Sequence, residues 1–278
     1  MTSRWPFVLP ILALIVAVAS VGGAIVITNS RTDSKPAPDV ETKRSATPEN
    51  PPEARLSNDV CDFVLNPPAP GQERVFSPHY TQKREVMGIA IVGDERVDAE
   101  AFDVAEATIK TMFAGNGLAE PLAEAQAYVV IADSTEGVLD LPEFGCLGES
   151  IGEDFFSHVC GVADRADYPV ATVNELDLMG DRDGPCDGLN ILFHELGHLV
   201  QGWSVSPPDY FDIKLLYQDA LNANKYRRAY AATNPNEYFA EATQAYFLSV
   251  DRAGRQDRDW LKSYDPDIYA MLQRLYGE

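Results

Sequence analysis

The stretch Cys186-Asp-Gly-Leu-Asn-Ile-Leu-Phe-His194-Glu195-Leu196-Gly197-His198-Leu-Val-Gln201 places two histidines four residues apart around a glutamate. Residues four apart share one face of a helix, so His194 and His198 can hold one metal ion between them. Glu195, one residue along, can reach a water on that ion and act as general base. The chain has 4 histidines in all, and two of them stand here. Two helix histidines can also be hydrogen-bonded in an ordinary core. A metal reading therefore needs a third ligand, usually from another helix.

A candidate lies further along, after Pro207-Pro208 and an amphipathic helix over Ile213–Leu221. The stretch Tyr230-Ala-Ala-Thr-Asn-Pro-Asn-Glu-Tyr-Phe-Ala-Glu-Ala-Thr-Gln-Ala-Tyr-Phe247 opens with a helix-start signal, Asn234-Pro235. In the helix that follows, Glu237 and Glu241 lie four apart on one face, backed by Tyr238, Phe239, Ala242, Ala245 and Tyr246. An isolated pair of carboxylates reads as a solvated edge. Beside a His-Glu-x-x-His helix, Glu237 can complete the metal's protein ligands. Glu241 can then accept a hydrogen bond from the ring N–H of a ligating histidine and orient it.

Composition bounds the rest. At 278 residues the chain holds one large domain or two small ones, and an apolar fraction of 45% is ordinary for a globular core. A net charge of −21 argues against a nucleic-acid partner, because nothing neutralises phosphates. The 4 cysteines, Cys61, Cys146, Cys160 and Cys186, lack C-x-x-C spacing and fit two disulfides better than a metal cluster. Three pairings are possible, and the sequence does not choose among them.

Residues 5–28 carry no charge and are almost wholly apolar. At helical rise they span the roughly 30 Å hydrocarbon layer, which favours an uncleaved transmembrane anchor. Ala17-Val18-Ala19 offers the competing reading, a signal-peptide cleavage site. Either reading places the remainder outside the cytoplasmic membrane, as a single-pass membrane protein or a secreted one. Residues 29–58 are rich in Pro, Ser, Thr, Glu and Lys and read as a disordered linker. Residues 59–278 are then the folded unit.

Within it, Val86–Val92 and Ala127–Ala132 look like buried strands. Between them, Asp98 caps a helix marked by Ala101, Phe102, Val104, Ala105, Ile109 and Met112 at helical spacing. Strand, helix, strand predicts a mixed α/β layer beneath the histidine helix. Pro169–Asn174 is strand-like, either a sheet edge able to hold an extended peptide or an ordinary core strand. Residues 133–168, rich in Gly, Asp and Glu, read as a pinned surface region. Its Gly148-Glu-Ser150-Ile-Gly152 matches a nucleophile elbow, but the flanking residues are loop-like rather than strand and helix. Asp181-Arg-Asp-Gly184 lacks ligands where a calcium loop needs them and reads as a turn.

His194-Glu-Leu-Gly-His198 together with Tyr230-x6-Glu237-Tyr-Phe-Ala-Glu241 resembles the anthrax-toxin lethal-factor-like metallopeptidases, a gluzincin family. Val173-Asn-Glu-Leu upstream and Tyr264-Asp-Pro266 near the C-terminus lie in matching context, and the resemblance covers residues 75–278. It implies a zincin-like α/β (α+β) domain: a small mixed sheet packed on the active-site helix, with a second, glutamate-bearing helix. It further implies one Zn2+ held by His194, His198 and Glu237, with Glu195 as general base. Tyr230 resembles the family's tyrosine that donates its hydroxyl to the developing oxyanion, with Tyr226 a nearby competitor. The expectation is a zinc-dependent endopeptidase acting on a peptide or protein substrate outside the cytoplasm, attached to the membrane through its N-terminal segment. The alternative is a non-catalytic extracellular domain that keeps zinc for stability or binding.

Overall fold

The computed structural model describes residues 72–145, 159–165, 168–248 and 256–277. The sheet has five strands: β1 (Gln82–Val86), β2 (Ile89–Gly93), β3 (Tyr128–Ala132), β4 (Ala163–Arg165) and β5 (Tyr168–Asn174), in the order β1-β2-β3-β5-β4. The inner strands β2, β3 and β5 run parallel, and β1 and β4 are antiparallel to their neighbours. Every residue of β2 and β3 is buried, as strands covered on both faces require. Alternation along β3 divides the core: Val129 and Ile131 join one apolar cluster, Tyr128 and Val130 another on the opposite face.

One sequence expectation changes here, and of two open alternatives one is selected. The run Val86–Val92 is not one strand. Met87 (φ 53°) and Gly88 (φ 77°) both adopt left-handed conformations and make a two-residue hairpin, with Val86 paired to Ile89. The strand expected over residues 169–174 runs from Tyr168 and lies between β3 and β4, so it is interior and the edge belongs to β4. Its buried run Val170–Val173 follows from cover on both sheet faces, with Ala171 and Val173 in the larger cluster and Val170 in the other.

The larger cluster is built by helices. These are α1 (Ala99–Phe113, capped by the Asp98 side chain), α2 (Ala119–Glu124), α3 (Glu175–Met179), α4 (Leu192–Leu199) and α5 (Pro207–Asn222). They are followed by α6 (Pro235–Phe247), α7 (Arg258–Tyr264) and α8 (Pro266–Tyr276). A wide turn over Val200–Ser204 ends α4, and Ser206 caps α5 ahead of its two prolines. The other sheet face is covered by Val138, Leu141 and Phe144 together with Phe76 and Tyr80. The described part of the 133–168 region is therefore partly core rather than all surface. Tyr80 and Tyr128 both donate their hydroxyls to Glu143, which is fully buried there, and burial raises its carboxyl above the usual range despite those bonds.

Cys160 and Cys186 form a disulfide, tying the approach to β4 to the connection before α4. Cys61, Cys146 and Ser150 lie outside the described residues. The expected single-pass membrane localisation is withdrawn, and with it the membrane as a partner. No helix among the described residues is long and apolar enough to cross a membrane, and residues 5–28 lie outside them.

Candidate metal centre

Helix α4 packs on α6, and Gly197 is the reason they approach so closely. A Cβ at Gly197 would lie 3.3 Å from the Ala240 Cα and 3.2 Å from Thr243 Cβ. At that crossing His194, His198 and Glu237 converge, each at least nine-tenths buried. His194 Nε2 is 3.1 Å from His198 Nε2, and Glu237 Oε2 stands 3.3 Å and 3.4 Å from the same two nitrogens.

The three atoms form a nearly equilateral triangle of donors. Ligands at about 2.0–2.1 Å from a tetrahedral metal stand about 3.3 Å apart, so the spacing fits one ion capping the triangle. The two nitrogens and one carboxylate oxygen suit a borderline divalent transition metal. Glu237 Oε2 is buried and faces only the two imidazole nitrogens, as an oxygen shared with them around one cation would.

Electrostatics point the same way. Burial pushes the Glu237 carboxyl up, but hydrogen bonds from His194 and His198 overcome this and hold it down to about 2. Burial pulls the His194 imidazole down, yet its bonds to Glu237 and Glu241 outweigh burial and raise it well above the ordinary value. The pocket thus keeps a carboxylate ionised and favours positive charge beside it. Glu241, a third exposed, accepts from the other ring nitrogen: its Oε1 lies 3.2 Å from His194 Nδ1. That bond fixes the ring so that Nε2 faces the triangle.

Glu195 is fully buried between the two histidines in sequence, and neither of its carboxylate oxygens has a hydrogen-bond partner. Burial raises its carboxyl to about 7, against the lowering influence of both histidines. The backbone of Gly161 lies directly against it, since a Cβ at Gly161 would be 3.1 Å from Glu195 Oε1. Tyr230, half-buried at the start of a 3-10 turn over Tyr230–Ala232, turns its ring toward His194, with centroids 6.3 Å apart. Its competitor Tyr226 is buried elsewhere, its ring packed against Tyr238, Trp260 and Tyr264.

Sequence reasoning missed Gln244. Its Oε1 accepts from the His194 backbone N–H at 2.9 Å, and its Nε2 donates to the Asn190 carbonyl at 2.7 Å. It clamps the first turn of α4 to α6. The signal was present, because Gln244 continues the stripe of Glu237 and Glu241 on the same helix face. Gly161 carried no such signal. Its contact with Glu195 depends on the path of the chain through the disulfide.

A family model described as anthrax toxin lethal factor, N- and C-terminal domain, matches residues 122–275, more than half of the chain. The matched stretch contains α4, Tyr230 and α6. No curated protein matches the chain.

Proposed function

We propose that this chain, which belongs to the anthrax toxin lethal factor family of zinc-dependent metalloproteases, hydrolyses peptide bonds with one zinc ion per chain. The observation that carries this reading is the donor triangle of His194, His198 and Glu237, with a buried, unpartnered glutamate on the same helix. The catalytic unit is assigned to residues 59–278, and the substrate class is peptide or protein.

His194, His198 and Glu237 would hold the ion. Bound zinc supplies a Lewis acid that polarises a carbonyl and lets water ionise near neutral pH. Glu195 takes the proton of the attacking water on a carboxylate oxygen and returns it to the leaving amine nitrogen. Neither carboxylate oxygen of Glu195 is engaged by another protein group, so both are available for that task. Glu241 holds the His194 ring through Nδ1, and Gln244 holds its backbone. Tyr230 donates its hydroxyl to the carbonyl oxygen as negative charge develops there. A preorganised donor of this kind contributes about 2.7–4 kcal/mol.

The test separates base from ligand. Glu195→Gln should abolish cleavage of a peptide library while metal analysis still finds close to one zinc per chain. A Glu195→Gln enzyme with full activity would remove Glu195 from the mechanism. Wild-type protein that binds zinc but cleaves nothing would remove the peptidase reading itself.

A further inference from the structure

The connection between α5 and Tyr230 is held in an unfavourable backbone conformation. Asn224, Tyr226 and Arg228 have φ values of 57°, 55° and 61°, three residues with side chains in the left-handed region in quick succession. Such a run persists only where surrounding contacts over-determine it. Those contacts converge on Asp265, which joins α7 to α8 and is 1% exposed. Lys225 Nζ donates to its Oδ1 at 2.8 Å, and the Tyr238 hydroxyl donates to its Oδ2 at 2.9 Å. The neighbouring Tyr264 hydroxyl accepts from the Tyr226 backbone N–H at 2.8 Å. The Ala229 N–H then closes on the Tyr226 carbonyl, also at 2.8 Å, and the chain enters the turn that carries Tyr230. From the far side, the Tyr217 hydroxyl anchors that turn at the Ala232 carbonyl.

We infer that Asp265 is a positioning residue for Tyr230, acting through Lys225 and the strained connection to aim the Tyr230 hydroxyl at the metal centre. This rests on the zinc-peptidase reading above. It also gives a role to Tyr264-Asp265-Pro266, which the site itself does not use. Asp265 touches neither the ligands nor Glu195 in this arrangement. Its Tyr238 bond reaches α6 and its Lys225 bond reaches the loop; an effect carried by the loop depends on Tyr230, and that gives it a signature.

The signature is non-additivity. Asp265→Asn and Lys225→Met should each lower kcat about tenfold with little change in KM and zinc content, since a displaced donor loses part of its effect. In a Tyr230→Phe background the same changes should lower kcat less than about twofold, because the group they position is already gone. Lys225→Arg, which keeps the ion pair, should restore kcat. A second readout needs no activity. Arg227 and Arg228 are exposed, so trypsin should nick the loop several-fold faster in Asp265→Asn and Lys225→Met, but not in Tyr230→Phe. Equal kcat losses in both backgrounds, or an unchanged nicking rate, would overturn the inference. If Tyr230→Phe alone leaves kcat intact, the role of Tyr230 and this inference fall together. In that case an active wild type with a dead Glu195→Gln leaves the peptidase reading standing.

Discussion

Gly161→Ala puts the placement of the general base under the most direct strain. The substituent has nowhere to go. Its Cβ would lie 2.4 Å from the Thr172 carbonyl oxygen, 2.7 Å from Ile191 Cδ1 and 3.1 Å from Glu195 Oε1. The Ile191 methyl is the end of a flexible chain and can yield. The Thr172 carbonyl belongs to β5, whose Thr172 N–H and Oγ1 bond the Val162 carbonyl and N–H at 2.9 Å each. It cannot yield without breaking that pairing. The segment bearing Gly161 is restrained in turn by the Cys160–Cys186 bond.

Relief must come from moving the 160–162 backbone, or α4 with Glu195. Overpacking of this kind costs about 1–3 kcal/mol, and each kcal/mol lowers Tm by about 2–4 °C in a domain of this size. A base displaced by up to an ångström loses as much as about a hundredfold in rate. Thermal unfolding should therefore show a Tm lowered by roughly 2–12 °C. Peptide hydrolysis should show kcat/KM lowered by about one to two orders of magnitude, with zinc content unchanged. Gly137→Ala is the control, because its Cβ meets only Asp140 Oδ2 at an ordinary 3.6 Å. If Gly161→Ala melts within a degree of wild type and keeps its kcat/KM, the segment is not wedged against Glu195 and the reasoning fails.

Glu237→Ala should lower zinc affinity in chelator competition far more than Glu241→Ala, whose loss should be about 10–100-fold, the usual cost of removing a ligand's hydrogen-bond partner. The reverse order would exchange their roles. Gln244→Ala leaves the Asn190 carbonyl without its donor and the His194 N–H with only its bond to Ile191; it should cost about 1–3 kcal/mol in denaturant unfolding. No measurable change would show that the clamp contributes nothing. Glu143 has its folded-state carboxyl raised above 4.5 by burial, so its stability contribution is complete below that pH and is lost as pH rises through the folded value. Glu143→Gln should accordingly be more stable than wild type at pH 7, by a margin that shrinks on acidification. A margin that grows toward acid would reverse the assignment.

The parts of this protein legible in its sequence are those set by local period. The continuous apolar runs of β2 and β3 announced buried strands. His194 and His198 lay one helical turn apart, and Glu237 and Glu241 did the same. What local reading missed depends on backbone states or approaches that no period encodes. Met87 is an unremarkable apolar residue in an apolar run, yet its left-handed conformation turns one expected strand into a hairpin. Whether β5 was edge or interior rested on β4, a strand too short to leave a pattern. Gly161 acts across the fold, and Tyr264-Asp265-Pro266 stood out in the sequence with nothing to show that Asp265 meets Lys225 and Tyr238.

The start of α6 shows how a plain helix signal becomes part of a site. Asn234 Oδ1 accepts from the N–H groups of Asn236 and Glu237 at 2.9 and 3.0 Å, and Pro235 takes the position where a missing donor costs nothing. This fixes Glu237 in the first turn, where the helix N-terminus favours negative charge. A carboxylate buried without such support would take up a proton. Here the helix end and the two histidines keep it ionised. Moving the start of α6 by one residue would turn Glu237 by about 100° around the helix, away from both imidazoles. Asn234 therefore helps set the register of the donor triangle while contributing no donor to it.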